Sequence, residues 1–292
     1  MNHHTDPHPP ARPTRRRASA RTASTWRAAA AGLLVVSIGA AGCSNDDVTT
    51  KGAGDTTATT AKGRTAAAVA TFCDAVVEAD AAVGATQGPD GPPDPSAVAA
   101  AKKAMQAVGK VAPEEIRDAV DTMVTEGTAM FESDSGEPGP AFAEASDTTY
   151  RWMGENCGYG AVDVTAKEYK YEGMPTDVSA GKSVVNLTNA GTEMHEMVFV
   201  RVNDDVTGST DELLAMPEDE VMKKIEIKGT VFAPPGTTAH STVDLSSGRY
   251  LIACFIPVGL TPEAAAAMDT GGAVPDGPPH FTQGMLHEVT ID

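Results

Sequence analysis

The fold is decided by residues 183–202, where two β-type runs flank a short polar turn. The first run is Ser183-Val184-Val185-Asn186-Leu187, the second is Met197-Val198-Phe199-Val200-Arg201-Val202, and the turn between them contains Asn189-Ala190-Gly191. Runs of β-branched and aromatic residues bounded by Gly, Asn or Pro are typical of strands. Further runs lie at Glu168–Tyr171, Thr238–Leu245, Tyr250–Phe255 and His287–Ile291. The second half of the chain is therefore predicted to form an antiparallel β-sandwich.

One segment interrupts this pattern. Residues 210–225 combine apolar residues such as Leu213 and Val221 with many acids, and they predict a helical surface insertion that is broken near Pro217.

Upstream of the strands, the sequence becomes rich in alanine, and apolar residues recur at helical spacing. Pro95 and Pro113 are followed by typical first-turn residues of helices. Gly/Pro-rich stretches separate four predicted helices near 65–83, 95–110, 113–132 and 139–157. The fold class is therefore α + β in separate domains, with a four-helix bundle at 65–158 before the sandwich at 161–292.

The N-terminus has the features of an export signal. Six arginines precede an apolar stretch, Ala28 to Ala41, that is too short to span a bilayer. The small residues Ala40-Ala41-Gly42 then precede Cys43, which resembles the lipobox of bacterial lipoproteins and implies cleavage before Cys43 and lipidation of its sulfur. The alternative is an ordinary signal peptide with an incidental cysteine. We expect a lipoprotein signal peptide at 1–42 and a flexible tether at 43–64, whose Thr, Ala and Gly content offers little apolar surface.

Export bears on the remaining cysteines. Cys73 lies in the first predicted helix and Cys157 ends the fourth, and an up-down-up-down bundle places these helices side by side. In an oxidising compartment, a Cys73–Cys157 disulfide is therefore expected, with reduced, buried thiols as the alternative. Cys254 is left without a partner.

The chain is acidic, with 22 Lys and Arg against 40 Asp and Glu and a formal net charge of −18. Such a charge disfavours nucleic-acid binding and favours a protein partner with a basic docking surface, although it also serves simple solubility. The sequence contains no Gly-x-Ser-x-Gly, His-Glu-x-x-His or phosphate-cradling loop, so no enzyme activity is predicted.

Four side chains in the second half have the chemistry of metal ligands. His195 is followed by Cys254, then by His280 and by Met285, and four residues separate the last two. A thiolate, two imidazoles and a thioether are the ligand set of a mononuclear electron-transfer copper site. Taken singly, each residue is better explained by a core or surface position. Their order and the unpaired Cys254 favour a metal site.

The same region resembles the cupredoxins, which are plastocyanin-like copper proteins. The resemblance covers roughly residues 161–292 and rests on a few short stretches. These are Tyr171-Glu172-Gly173-Met174-Pro175, Val185 to Gly191 leading to His195, Gly248-Arg249-Tyr250 leading to Cys254, and His280 to Met285 with Gly284 before the methionine. The resemblance implies a Greek-key sandwich that binds one copper ion through His195, Cys254, His280 and Met285.

Two features depart from plastocyanins. Cys254 and His280 enclose 25 residues instead of a couple, and residues 261–268 within this segment predict a short helix. The added length costs little closure entropy. Glu196 follows His195, where plastocyanins commonly have Asn, so different hydrogen bonding around the thiolate is expected.

The sequence thus predicts a one-electron carrier, tethered by lipid to the extracytoplasmic face of the bacterial cell membrane. One alternative is a protein for copper capture, storage or delivery, with Met194 and Met197 as auxiliary soft groups. Another is an interaction module whose metal site is vestigial. The remaining histidines of the exported chain, His240 and His287, are expected at the surface.

Overall fold

The computed structural model describes residues 65–86, 93–132, 138–269 and 271–292. The predicted signal peptide, Cys43 and the tether lie outside these residues. Within the described ranges, no helix is both long and apolar enough to cross a bilayer.

Four helices occupy the first part of the described chain, where the sequence predicts them. They are α1 (Ala66–Gly84), α2 (Pro95–Val111), α3 (Arg117–Ala129) and α4 (Phe142–Asn156), with a 3₁₀ turn at Glu114–Ile116 before α3. Local capping fixes their starts, since the side chains of Thr65 and Asp94 accept hydrogen bonds from first-turn N–H groups of α1 and α2. The apolar faces of the helices meet in one core that includes Phe72, Val120 and Met153.

The predicted disulfide is confirmed. Cys73 on α1 is bonded to Cys157, which follows α4, and their Cα atoms are 5.8 Å apart. The rings of Phe72 and Trp152 pack edge to face, with centroids 5.3 Å apart, in the same apolar cluster as Cys73. Helices α1 and α4 are therefore neighbours, and Cys254 is the free cysteine of the described part of the chain.

Eight strands follow and form two sheets. They are β1 (Gly160–Lys167), β2 (Lys170–Glu172), β3 (Gly181–Asn189), β4 (His195–Val202), β5 (Ile225–Ala233), β6 (Thr238–Leu245), β7 (Gly248–Ala253) and β8 (Leu286–Ile291). One sheet has the order β2-β1-β3-β6 and the other β5-β4-β7-β8. Inward-facing residues of both sheets, such as Leu187, Phe199 and Ile252, form the core between them. The predicted two-sheet sandwich is confirmed.

Three details of the sandwich differ from the sequence prediction. Strands β1 and β3 pair in parallel, so the sandwich is not purely antiparallel. The predicted run at Glu168–Tyr171 begins with a turn at residues 168–169, and its second half is the start of β2 at Lys170. Strands β1 and β5 were not predicted, and in β5 the charged residues and Gly229 interrupt the apolar pattern. Gly229 is needed because a Cβ there would lie 2.6 Å from Val243 Cγ1.

The acidic insertion after β4 covers the outer face of the second sheet. It forms α5 (Thr210–Leu214) and α6 (Glu218–Val221), broken at Pro217 as predicted. Leu213 and Val221 pack on Val198, Val200 and Leu251, among others. Strand β4 is therefore buried on both faces, which holds its first residue, His195, on a rigid element.

The helices pack on the outer face of the first sheet. The carboxylate of Asp80 on α1 accepts hydrogen bonds from Tyr150 Oη at 2.5 Å and from the backbone N and Oγ1 of Thr242 on β6 at 2.9 and 2.7 Å. Val184 of β3 belongs to the same apolar cluster as the helix cores. The helices and the first sheet therefore share a packed interface.

His240 lies in this interface, so its expected surface position is wrong. Its side chain is 4% exposed. The ring stacks on Tyr150 with centroids 5.4 Å apart, and Nδ1 lies 2.7 Å from Asn186 Oδ1. A β-strand alone would expose this position, but α4 covers it.

Removing the disulfide tests its contribution to stability. The bond joins residues 84 positions apart. Without it, the unfolded chain gains the conformational entropy that closing this loop removes, so unfolding becomes more favourable. The double variant Cys73→Ala/Cys157→Ala should lose about 4 kcal/mol in free energy of unfolding, measured by urea denaturation. A variant as stable as the wild type would contradict this account.

The buried imidazole gives a pH-dependent prediction. Burial, and then the charge of Arg151, lower the pKa of His240 from 6.5 to about 4. A depressed pKa stabilises the fold above pH 6.5, and this contribution is lost as pH falls towards 4. His240→Gln keeps a donor for Asn186 without titrating. Relative to this variant, the wild type should lose up to about 3 kcal/mol between pH 6.5 and 4 in denaturant melts. If the free energy of unfolding changes with pH equally in the wild type and in His240→Gln, the pKa of His240 is not lowered in the folded protein.

Candidate metal centre

The predicted ligands lie at one end of the second sheet. His195 begins β4, Cys254 directly follows β7, and Met285 directly precedes β8. Strand β7 pairs with both β4 and β8, so these three positions are brought to the same edge of the sandwich. His280 begins a 3₁₀ turn, His280–Gln283, between the inserted segment and Met285.

Three of the four predicted ligands converge. Their ligand atoms all lie within 4.8 Å of one another. His280 Nδ1 is 3.4 Å from Cys254 Sγ and 3.2 Å from His195 Nδ1. All three residues are fully buried. One thiol and two imidazoles around a common point form a group that can hold a single metal ion.

Backbone pairing explains how His280 reaches Cys254 despite the 25 intervening residues. Past the end of β7, Phe281 N–H donates to Cys254 O, and His280 N–H donates to Ile256 O, both at 2.8 Å. Val258 N–H donates to Pro278 O at 3.0 Å. The two arms of the segment thus continue the antiparallel ladder. We call these hydrogen-bonded arms the neck of the inserted segment, and the remainder of the segment lies beyond them. It includes α7 (Pro262–Asp269), so the predicted short helix is present.

Met285 is also placed at this edge. Its backbone N–H donates to His280 O at 3.2 Å, and its O accepts from Cys254 N at 3.1 Å. Its side chain is fully buried in the same apolar cluster as Cys254. Gly284 before it has φ 132°, and a Cβ there would meet Tyr169 O at 2.8 Å, so this turn requires glycine.

Two carboxylates that the sequence analysis missed lie behind the histidines. Glu193 Oε2 is 3.0 Å from His280 Nε2, and Glu168 Oε1 is 3.6 Å from His195 Nε2. Partners that orient ligand rings are a usual part of metal sites. No sequence signal separates these residues from the many other acids of the chain, although Glu193 stands only two positions before His195.

The surroundings set the protonation of the metal-free group. Burial, together with the charge of His280, lowers the pKa of His195 to about 4, and burial lowers that of His280. Burial raises the pKa of the Cys254 thiol far above its ordinary value, and the charge of Glu196 adds to this. At neutral pH both imidazoles are therefore uncharged, and a metal ion must displace the thiol proton.

Glu196 takes part in the hydrogen bonding next to the thiol. Its Oε1 accepts from the backbone N–H of Phe255, the residue after Cys254, at 3.0 Å. Its own backbone O accepts from the hydroxyl of Tyr171. Burial raises the pKa of Glu196 to about 7. The carboxylate thus links β4 to the start of the inserted segment.

Comparison with known proteins gives no match to a protein-family model and none to a curated protein. Among solved structures, auracyanin A, a "blue" copper protein from Chloroflexus aurantiacus, is 15% identical with a TM-score of 0.29 and covers 46% of this chain and 100% of its own. Auracyanin from Roseiflexus castenholzii is 18% identical, with a TM-score of 0.28 and coverage of 46% and 99%. A copper-containing nitrite reductase from Thermus scotoductus is 13% identical, with a TM-score of 0.21 and coverage of 46% and 31%. These scores are low, and the site is defined by the geometry of its own residues.

Metal titration tests the ligand group. The wild type should bind one equivalent of zinc(II) in calorimetry. Cys254→Ser and His280→Ala each remove a ligand and should weaken binding by more than about a hundredfold, since even partners behind the ligands contribute ten- to a hundredfold. His287→Gln, which changes a histidine outside the group, is the control and should bind as the wild type does. Unchanged affinity in His280→Ala would exclude it as a ligand.

Proposed function

We propose that this protein binds one copper ion and transfers single electrons. The observation that carries the proposal is the convergence of one thiol and two imidazoles, fully buried, within 4.8 Å of one another. In the proposed site, His195, Cys254 and His280 would hold the ion, the thioether of Met285 would be a further soft ligand, and copper would supply a one-electron couple there. This ligand set is typical of mononuclear electron-transfer copper sites. The sequence resemblance to cupredoxins and the two-sheet sandwich support the same function.

The surrounding chain favours electron transfer because it keeps the ligands still. Copper supplies a one-electron couple whose two oxidation states prefer different geometries. His195 is held on a strand buried on both faces, and Cys254 and His280 are joined by backbone hydrogen bonds. A rigid, water-excluding site limits ligand movement on oxidation or reduction.

The same burial argues against copper delivery. A protein that hands over its metal needs a ligand that an acceptor can reach, but the three converging ligands are fully buried. Met194 and Met197, the suggested auxiliary groups, are 8% and 0% exposed and pack in the sandwich core. Their burial favours a packing role.

We extend the proposal to location and partners. The N-terminal sequence supports export and lipidation at Cys43, and the Cys73–Cys157 disulfide suits an oxidising, extracytoplasmic compartment. The acidic composition supports a redox partner with a basic docking surface and disfavours nucleic acid. We assign no enzyme activity to this protein. We also propose that residues 65–158 form a four-helix bundle and that residues 161–292 form a Greek-key sandwich.

Copper loading of the purified protein tests this function. An intense blue charge-transfer band from Cys254 and a reversible one-electron wave should appear with one equivalent of copper(II). Cys254→Ser should abolish the band, whereas Met285→Leu should keep it and shift the potential, because the thioether ligand tunes the couple.

Other outcomes would point elsewhere. Tight, colourless copper(I) binding with rapid transfer to a chelator would favour delivery. A protein that binds no copper would have a vestigial site. A blue band that persists in Cys254→Ser would contradict the ligand assignment.

A further inference from the structure

We propose that Glu193 is a positioning residue that clasps His280 to the inserted segment and places a carboxylate charge directly behind this ligand. The effect on the copper couple rests on the proposed function, whereas the clasp itself does not require copper.

The contacts of Glu193 come from three separate parts of the chain. Its Oε2 lies 3.0 Å from His280 Nε2 and accepts from the backbone N–H of Gly259 at 2.7 Å. Its Oε1 accepts from the hydroxyl of Tyr169 at 3.0 Å. The side chain of Glu193 is only 13% exposed. One carboxylate thus joins the β1–β2 turn, the inserted segment and the ligand ring.

This arrangement fixes the tautomer of His280. An ionised carboxylate can only accept hydrogen bonds, so Nε2 carries the ring proton in this contact. The lone pair is then on Nδ1, which faces Cys254 Sγ at 3.4 Å. The Tyr169 ring lies against the same imidazole, with centroids 4.8 Å apart, and restricts its rotation.

The backbone of Glu193 is itself held in place. Its N–H donates to Glu168 Oε1 at 2.9 Å, and the N–H of Thr192 donates to the same oxygen. The next residue, Met194, donates its N–H to Leu260 O at 2.8 Å. The inserted segment is therefore bonded twice to residues 193–194, directly before His195.

The charge has a separate consequence. A negative group hydrogen-bonded to a ligand stabilises the more positive oxidation state, so it lowers the reduction potential. Two substitutions separate this effect from positioning. Glu193→Gln keeps a carbonyl oxygen for His280 and Gly259, and its NH₂ can donate to Tyr169 Oη, so it removes the charge alone. Glu193→Ala removes the clasp as well.

The first test uses the full mature protein without metal. ¹⁵N NMR of the imidazoles should show His280 protonated at Nε2 in the wild type and in Glu193→Gln, but a mixture of tautomers in Glu193→Ala. Zinc(II) affinity should fall by about 10- to 100-fold in Glu193→Ala and by less in Glu193→Gln. A wild-type His280 protonated at Nδ1, or unchanged affinity in Glu193→Ala, would overturn the clasp.

The second test uses copper-loaded protein. Glu193→Gln should keep the absorption band and raise the midpoint potential more than Glu226→Gln does. Glu226 is an exposed residue near the far end of β5, paired with Lys228 at 3.2 Å, so its substitution removes the same charge away from the site. Equal shifts in the two variants would overturn the role of the charge. If no blue site forms, the proposed function fails, while the tautomer result still decides the clasp.

Discussion

The structure of the metal centre depends on backbone pairing that continues after strand β7 ends. The hydrogen bonds of Cys254 with Met285 and Phe281, and of Ile256 with His280, close a neck through which the inserted segment leaves and returns. Closing a long loop costs little more than closing a shorter one, whereas a one-residue slip in this ladder would turn His280 away from Cys254. The neck therefore sets the geometry, and the segment beyond it is free to differ from the short loops of plastocyanins.

The rest of the molecule keeps this edge of the sandwich rigid. The insertion α5–α6 covers one outer face, and the helices α1 and α4 cover the other. Asp80 bridges the helices to β6 through Tyr150 and Thr242, and the disulfide joins α1 to the end of α4. Strands β4 and β7, next to which His195 and Cys254 lie, are buried on both faces. Such support is what a site with little ligand movement requires.

Much of this architecture could be predicted from the sequence because its signals are local. Helix starts follow from first-turn residues such as Pro95, and the ligand set follows from the order of its residues and from the unpaired Cys254. Other features depend on tertiary contacts. The parallel pairing of β1 with β3 has no signal in the local sequence. Strand β5 was not predicted because Gly229 and charged residues interrupt its apolar pattern. His240 is buried only because α4 covers it. Glu193 was missed because one acid among 40 carries no signal until the fold brings it to His280.

The most direct test of the metal centre is the copper-edge X-ray absorption spectrum of the copper-loaded protein. It reports the atoms bound to the metal without reference to colour or potential. One short sulfur scatterer, from Cys254, is expected together with two imidazole nitrogens, from His195 and His280. A spectrum fitted by nitrogen and oxygen alone would contradict it.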